Sequence, residues 1–191
     1  LRAAGVAASA RKPAQSFDPA DDPSRYDAAV LGAASGEAPE VVCPPHRWYE
    51  VAMAPPMAAD ALGRPSFSVA DLSAELCWPA AASPPDVGLV ETAGGLRSPL
   101  AADGDCLAFC ATLDADLVLL VADAGLGTIN AVRLTVDALS SLAVPIVVVL
   151  NRFDVASALH VRNAAWLRTQ DGLRVVTMPG DEAGLVELAR T

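Results

Sequence analysis

Residues 87–130 read VGLVETAGGLRSPLAADGDCLAFCATLDADLVLLVADAGLGTIN. Two short apolar runs, 87–90 and 117–122, predict buried parallel strands. Each ends in a small turn containing glycine. The first delivers a carboxylate, Glu91, and then Gly94 and Gly95. The second delivers Gly127, Thr128, Ile129 and Asn130, followed by an amphipathic helix. In open α/β sheets, ligands sit outside the carboxyl ends of the strands. A glycine turn that opens a helix exposes free N–H groups to an anion. The stretch therefore predicts a metal ligand at Glu91 and an anion seat at residues 127–130.

Outward from this stretch, strands and helices alternate. Residues 6–10 read as a strand ending at Arg11-Lys12-Pro13. After a polar loop, Ser24 is expected to cap a helix running through Asp27 to about Ala34. Residues 39–45 read as an irregular connection. APPMAADALGRP predicts a short helix with proline at its start, and Ser68 caps the helix of SVADLSAELCW. A proline-rich turn, PAAASPPD, leads into the strand ending at Glu91. A helix is expected near 105–112 and another over 129–142. In the latter, Ile129, Val132, Val136, Leu139 and Leu142 form one apolar stripe, with Leu134 and Ala138 off it. A β-branched strand over 145–150 ends at Asn151. A helix over 160–170, a strand over 174–178 and a last helix over 181–190 complete the pattern. This alternation predicts a single α/β domain over 1–191, doubly wound and with a mostly parallel sheet.

Composition narrows the function. The 191 residues carry a formal charge of −10, with hydrophobic residues at 53% and aromatics at 5%. An acidic chain is a poor partner for nucleic acid or an anionic membrane surface, so a small-molecule site is expected. No apolar run approaches a membrane span of roughly 20 residues, and LRAAGVAASARKP contains no apolar core of a signal peptide. Cys43, Cys77, Cys106 and Cys110 form no zinc-ligand set and read as buried free thiols, which points to the cytoplasm. Lys12 is the only lysine in a chain that otherwise uses arginine. A lone lysine suggests a task that needs a compact ammonium. His46 and His160 suggest no catalytic role.

ETAGG after one strand, LGTIN after the next, VVVLN ending a third, and KPAQS near the start together resemble the dethiobiotin synthetase family, across nearly the whole chain and in order. The resemblance implies a P-loop NTPase-type fold and an ATP- and Mg²⁺-dependent carboxylation and cyclisation of 7,8-diaminononanoate. It implies that Lys12 contacts the carbamate and the transferred phosphate, and that Ser16 positions substrate. It implies that Asp27 and Glu91 share Mg²⁺. Gly127, Thr128, Ile129 and Asn130 would hold the substrate carboxylate across a homodimer interface. Glu91, Gly94, Gly95, Asn151, Pro179, Gly180 and Asp181 would border the nucleotide, with Asn151 reading adenine. Thr92 stands where the family usually has glycine. The family's Gly-rich loop ending Gly-Lys-Thr does not occur in these residues. An N-terminally truncated piece, without the first strand and phosphate loop, is expected over a degenerate relative. The alternatives are a non-catalytic binding or regulatory domain of the same family, and an amidoligase of the cobyrinate diamide synthase type.

Overall fold

Ala8–Arg11 (β1) and Val87–Val90 (β4) pair in parallel, with Arg11 opposite Val90. Lys12 and Glu91 therefore leave the sheet side by side, and Glu91 N–H donates to the Arg11 carbonyl at 2.9 Å. The computed structural model describes residues 1–79 and 84–189. It divides into two compact units, Leu1–Leu113 and Asp114–Thr191. Each unit is an α/β assembly, and apart from the hairpin Pro99–Ala101 (β5) with Gly104–Asp105 (β6), every strand pair is parallel.

In the first unit, Gln15–Ser16 (β2) pairs with Trp48–Tyr49 (β3). The helices are Asp27–Ser35 (α1), Pro39–Val42 (α2), Pro55–Ala61 (α3), Val69–Ala74 (α4) and Cys106–Cys110 (α5). Their core gathers Tyr49, Phe67, Leu72, Leu100 and Phe109. Ser68 caps α4 as expected, in a reciprocal capping box with Asp71. The helix ends at Ala74, however, short of the expected Trp78. Ser24 does not cap α1. It sits in a 3₁₀ turn, Pro23–Arg25, where Asp22 accepts its N–H. Tyr26 precedes α1 without a side-chain cap, and Gln15 reaches in to take the Ala28 N–H at 2.9 Å. Long-range packing has moved the helix start that local sequence suggested. Residues 39–45, expected to be irregular, contain α2. Residues 80–83 of the proline-rich turn lie outside the described residues.

In the second unit, Val118–Asp123 (β7), Ile146–Asn151 (β8) and Arg174–Thr177 (β9) form a parallel sheet with β8 in the middle. Its run Val147–Leu150 is fully buried, as a β-branched central strand should be. Thr128–Leu139 (α6), Ala158–Thr169 (α7) and Glu182–Leu188 (α8) complete the unit. Val132 and Leu139 of the expected stripe are buried, and Ile129 and Val136 pack against the same core as Val148, Leu150 and Leu167. Leu134 points away from that core at 63% exposure. No helix among the described residues is long and apolar enough to cross a membrane. All four cysteines are free, but Cys77 is exposed rather than buried.

Candidate active site

The centre of the first unit is Lys12. Its side chain is only 3% exposed, yet its ammonium lies 2.7 Å from Asp27 Oδ2 and 2.9 Å from Glu91 Oε1. It also donates to the Thr92 carbonyl at 2.8 Å. All three donor positions of the ammonium are thereby used. Three chain segments converge on it: the end of β1, the first residue of α1, and the end of β4. Burial works against the charge of Lys12, but Glu91 and Asp27 outweigh burial, and its pKa stands above the ordinary lysine value. The two carboxylates are about half exposed, at 48% and 52%. They thus combine a buried cationic contact with oxygens open to water. Such oxygen donors suit Mg²⁺, which binds through one or two carboxylates and keeps waters. On this chemistry the donor set fits the metal that the family resemblance implies.

The segment that presents Lys12 is itself fixed by charge. Arg11 is buried, and its guanidinium lies 2.8 Å from Glu37 Oε1 and 5.0 Å from the centre of the Trp78 ring. Glu37 Oε2 accepts the Ala10 N–H at 2.9 Å. Burial raises the Glu37 pKa, but Arg11 and the Ala10 amide more than reverse this and leave it below the usual carboxylate range. Nothing in the local sequence joins Arg11 to Glu37. Ser16, expected to position substrate, donates its hydroxyl to the Met53 carbonyl. Beside it opens a cleft of about 330 Å³, lined by Gln15, Ser16, Asp18, Asp21, Arg25 and Asp27 among others. Gln15 was not singled out by sequence, although it lies inside KPAQS.

The turn after β4 has the shape its glycines suggested. Gly94 adopts φ +77°, and a Cβ there would meet Ser98 Oγ at 2.7 Å. Gly95 is unconstrained by comparison. Cys106 donates its thiol to the Ala93 carbonyl, and burial raises the Cys106 pKa. Burial likewise pushes the Cys43 thiol up to about 12. Neither thiol has the lowered pKa of a nucleophile.

In the second unit a glycine turn opens α6, at the residues expected to hold the substrate. Gly127 sits at φ +91° and opens α6 without a side-chain cap. The Thr128 N–H turns back to the Gly125 carbonyl at 3.4 Å. The next N–H groups, of Ile129 and Asn130, point out of the helix start, where an anion can meet them. Asn163, buried, donates to the carbonyls of Ala124 and Gly125, both at 2.9 Å, and so holds the turn from α7. Sequence reading missed this residue. A buried asparagine with two backbone acceptors has no local motif. Thr128 is buried and its hydroxyl has no partner among the described residues. Ile129 faces the core, and Asn130 is exposed. Asn151 ends β8 as expected, but its Oδ1 accepts the N–H of Arg152, which has φ +54°. Asp181 caps α8 through the Gly184 N–H, and Gly180, at φ +122°, follows a cis Met178–Pro179 bond. The nucleotide-side candidates Asn151 and Asp181 thus already serve their own turns.

A family model described as an AAA domain matches residues 3–178. The ATP-dependent dethiobiotin synthetase of Haloferax mediterranei is 37% identical over 180 residues, covering 94% of this chain and 73% of the relative. That of Anaeromyxobacter dehalogenans is 44% identical over 154 residues, covering 79% of this chain and 66% of the relative. A further relative, from Brachyspira hyodysenteriae, is 33% identical over 95 residues, or 48% of this chain and 43% of its own length, and bears the same name.

Proposed function

The chain belongs to the ATP-dependent dethiobiotin synthetase family, and from that premise we propose that it carboxylates and cyclises 7,8-diaminononanoate to dethiobiotin at the Lys12 site. The observation that carries this reading is the buried ammonium of Lys12 between Asp27 and Glu91. The reaction adds CO₂ to one amine, giving a carbamate and a proton. ATP phosphorylates the carbamate and leaves as ADP. The second amine then attacks the carbamoyl carbon, expels phosphate and closes the ring. Each step builds or shifts negative charge on oxygen, and little covalent work falls to the protein.

Lys12 supplies a desolvated positive charge aimed at the carbamate and phosphoryl oxygens. Because its three donors are already engaged, it enters the reaction by exchanging a carboxylate or carbonyl partner for a substrate oxygen. Ser16 and the cleft beside it hold the diamine end of the substrate. Asp27 and Glu91 would hold Mg²⁺, which supplies charge neutralisation on the phosphates. The turn Gly127, Thr128, Ile129 and Asn130 binds the substrate carboxylate, through the N–H groups of Ile129 and Asn130 at the start of α6. The Gly94–Gly95 turn borders the nucleotide.

A homodimer is part of this reading. It is supported by Leu126 and Leu134, exposed at 93% and 63% beside the proposed carboxylate turn. Apolar surface next to a ligand-binding turn suits a second copy of the chain. We assign the protein to the cytoplasm, in keeping with four free thiols. The test is growth without biotin of a bacterial strain that lacks its own synthetase, supplied with the full gene product carrying these 191 residues. Growth that vanishes on Lys12→Ala supports the reading. Growth that persists after that change refutes the role of Lys12, and no growth from the unaltered gene product refutes the function.

A further inference from the structure

Gln15 is 2% exposed, and its Oε1 accepts the Ala28 N–H at 2.9 Å. That bond fixes the amide. A backbone N–H can only donate, so the atom facing it is the oxygen and the other terminal atom is the amino group. This Nε2 is buried and has no hydrogen-bond partner among the described residues. Native proteins rarely leave a buried donor so, and here the donor belongs to a residue that lines the cleft of about 330 Å³. Ala28 follows Asp27, whose carboxylate holds Lys12 at 2.7 Å. Gln15, from β2, therefore holds the α1 residue next to the charge centre of the site.

The cleft states what kind of ligand it takes. Asp18, Asp21 and Asp27 line it against Arg25. This excess of carboxylates disfavours a free anion and favours an amine. Nε2, in contrast, can only donate, and it needs an oxygen. A ligand that answers both demands is a diamine carboxylated on one nitrogen, with an ammonium at one position and an anionic oxygen at the other. We propose that Gln15 is a substrate-binding residue whose Nε2 donates to a carbamate oxygen of the carboxylated diamine, so that CO₂ and diamine bind cooperatively through it. The chemistry is R–NH₂ + CO₂ → R–NH–COO⁻ + H⁺. The nitrogen lone pair forms the new C–N bond, one C=O π pair moves to oxygen, and the proton passes to solvent. This inference rests on the function proposed above and adds a residue and a coupling to it.

The experiment is titration of the chain with diaminononanoate, in the absence and presence of dissolved CO₂, without ATP. The expected result is an affinity gain with CO₂ of about tenfold, the worth of one hydrogen bond to a charged oxygen. Gln15→Glu keeps an oxygen for the Ala28 N–H and removes the donor. It should reduce the CO₂-linked gain, taken as the ratio of the variant's own diamine affinities with and without CO₂, to less than about twofold. A gain undiminished in Gln15→Glu would show that Gln15 merely caps α1 with a water on Nε2, and would overturn the inference alone. Diamine binding in the unaltered chain with no response to CO₂ would overturn it too. No diamine binding under either condition would overturn the inference and the proposed function together. The unaltered chain offers a readout independent of any variant, in the Gln15 side-chain amide protons observed by NMR. One of them should move downfield when diamine and CO₂ are present together and not with diamine alone. An unmoved amide signal under saturating ligand contradicts the proposal.

Discussion

The two units prepare their sites by opposite means. In the first, Lys12, Arg11 and Gln15 are buried side chains, and each depends on partners far away in sequence: Asp27 and Glu91, Glu37, and the start of α1. In the second, the candidate residues lie in turns that follow strands, and Asp123, Asn151 and Asp181 each accept an N–H within three residues of themselves. The first site is thus built from charge held by tertiary structure. The second is built from turn geometry held locally, with Asn163 the main long-range brace. Changes of side-chain charge should therefore damage the first most, and changes of backbone freedom the second.

The largest expected effect is Lys12→Ala in the full gene product. Losing one group that stabilises developing charge typically costs about 10²–10³-fold in kcat. It would also leave Asp27 and Glu91 facing one another without the ammonium. Lys12→Arg should not restore turnover, because a planar guanidinium cannot take the place of a compact ammonium among three close acceptors. Near-normal kcat for the arginine variant would break the argument for a charge centre of defined size.

Next in size is Gly127→Ala in the second unit. A Cβ there would meet nothing within 4 Å, so any cost comes from φ +91° alone. An L-residue held in the left-handed region loses about 1–2 kcal/mol. The melting temperature should fall accordingly, while Asn130→Ala in the same turn, with no such backbone demand, should leave it nearly unchanged. Equal melting of the two variants would mean that backbone geometry is not what holds this turn.

Glu91→Gln should weaken Mg²⁺-dependent nucleotide binding by about tenfold, near 1.4 kcal/mol, and nucleotide binding without metal much less. Equal losses with and without Mg²⁺ would assign Glu91 to Lys12 alone.

The pH responses should also diverge. The Lys12 pKa is raised in the folded chain, so its contribution to stability is full below the unfolded lysine value of about 10.4 and is lost as pH rises through the folded value. Asp123 behaves oppositely. The Gly125 amide, with help from Arg152, lowers its pKa, so its contribution is present above the unfolded aspartate value of about 3.9 and is lost as pH falls through the folded one. Denaturation of Lys12→Met and Asp123→Asn against the unaltered chain, from acid to alkaline pH, checks both signs.

Smallest is Asn130→Asp. An acidic residue in the first turn of α6 should stabilise that helix by about 0.3–1 kcal/mol. The same charge should weaken binding of the substrate carboxylate a few-fold and leave nucleotide binding nearly intact. A variant that is both more stable and weaker in diaminononanoate binding sharpens the distinction between fold and site.

What the sequence revealed follows the same division. Glu91 and Asn151 at strand ends, and Gly127 in the turn before α6, were legible because an apolar run followed by a glycine or polar turn is a local pattern. Lys12 stood out through composition, as a single lysine among arginines. The start of α1 was misread because Ser24 offers a good local cap, whereas the real partner of the Ala28 amide is Gln15, thirteen residues earlier. The short strands β2, β3, β5 and β6 were missed because two or three residues carry no periodicity. Arg11–Glu37 and Asn163 were invisible for a related reason. A buried ion pair or a side chain bracing a distant carbonyl depends on which segments meet, and no spacing encodes that.

Lys12 gives this account its most direct test, because a chain with one lysine yields one ammonium signal when lysine is labelled with ¹⁵N at Nζ. If Lys12 is the charge centre of the site, its NH₃⁺ protons should exchange slowly at neutral pH, as expected of a group 3% exposed with three acceptors. The signal should shift when diaminononanoate and CO₂ are added, and again with Mg²⁺. An ammonium signal that exchanges as fast as free lysine and is indifferent to substrate and metal would contradict the claim that this residue organises the site.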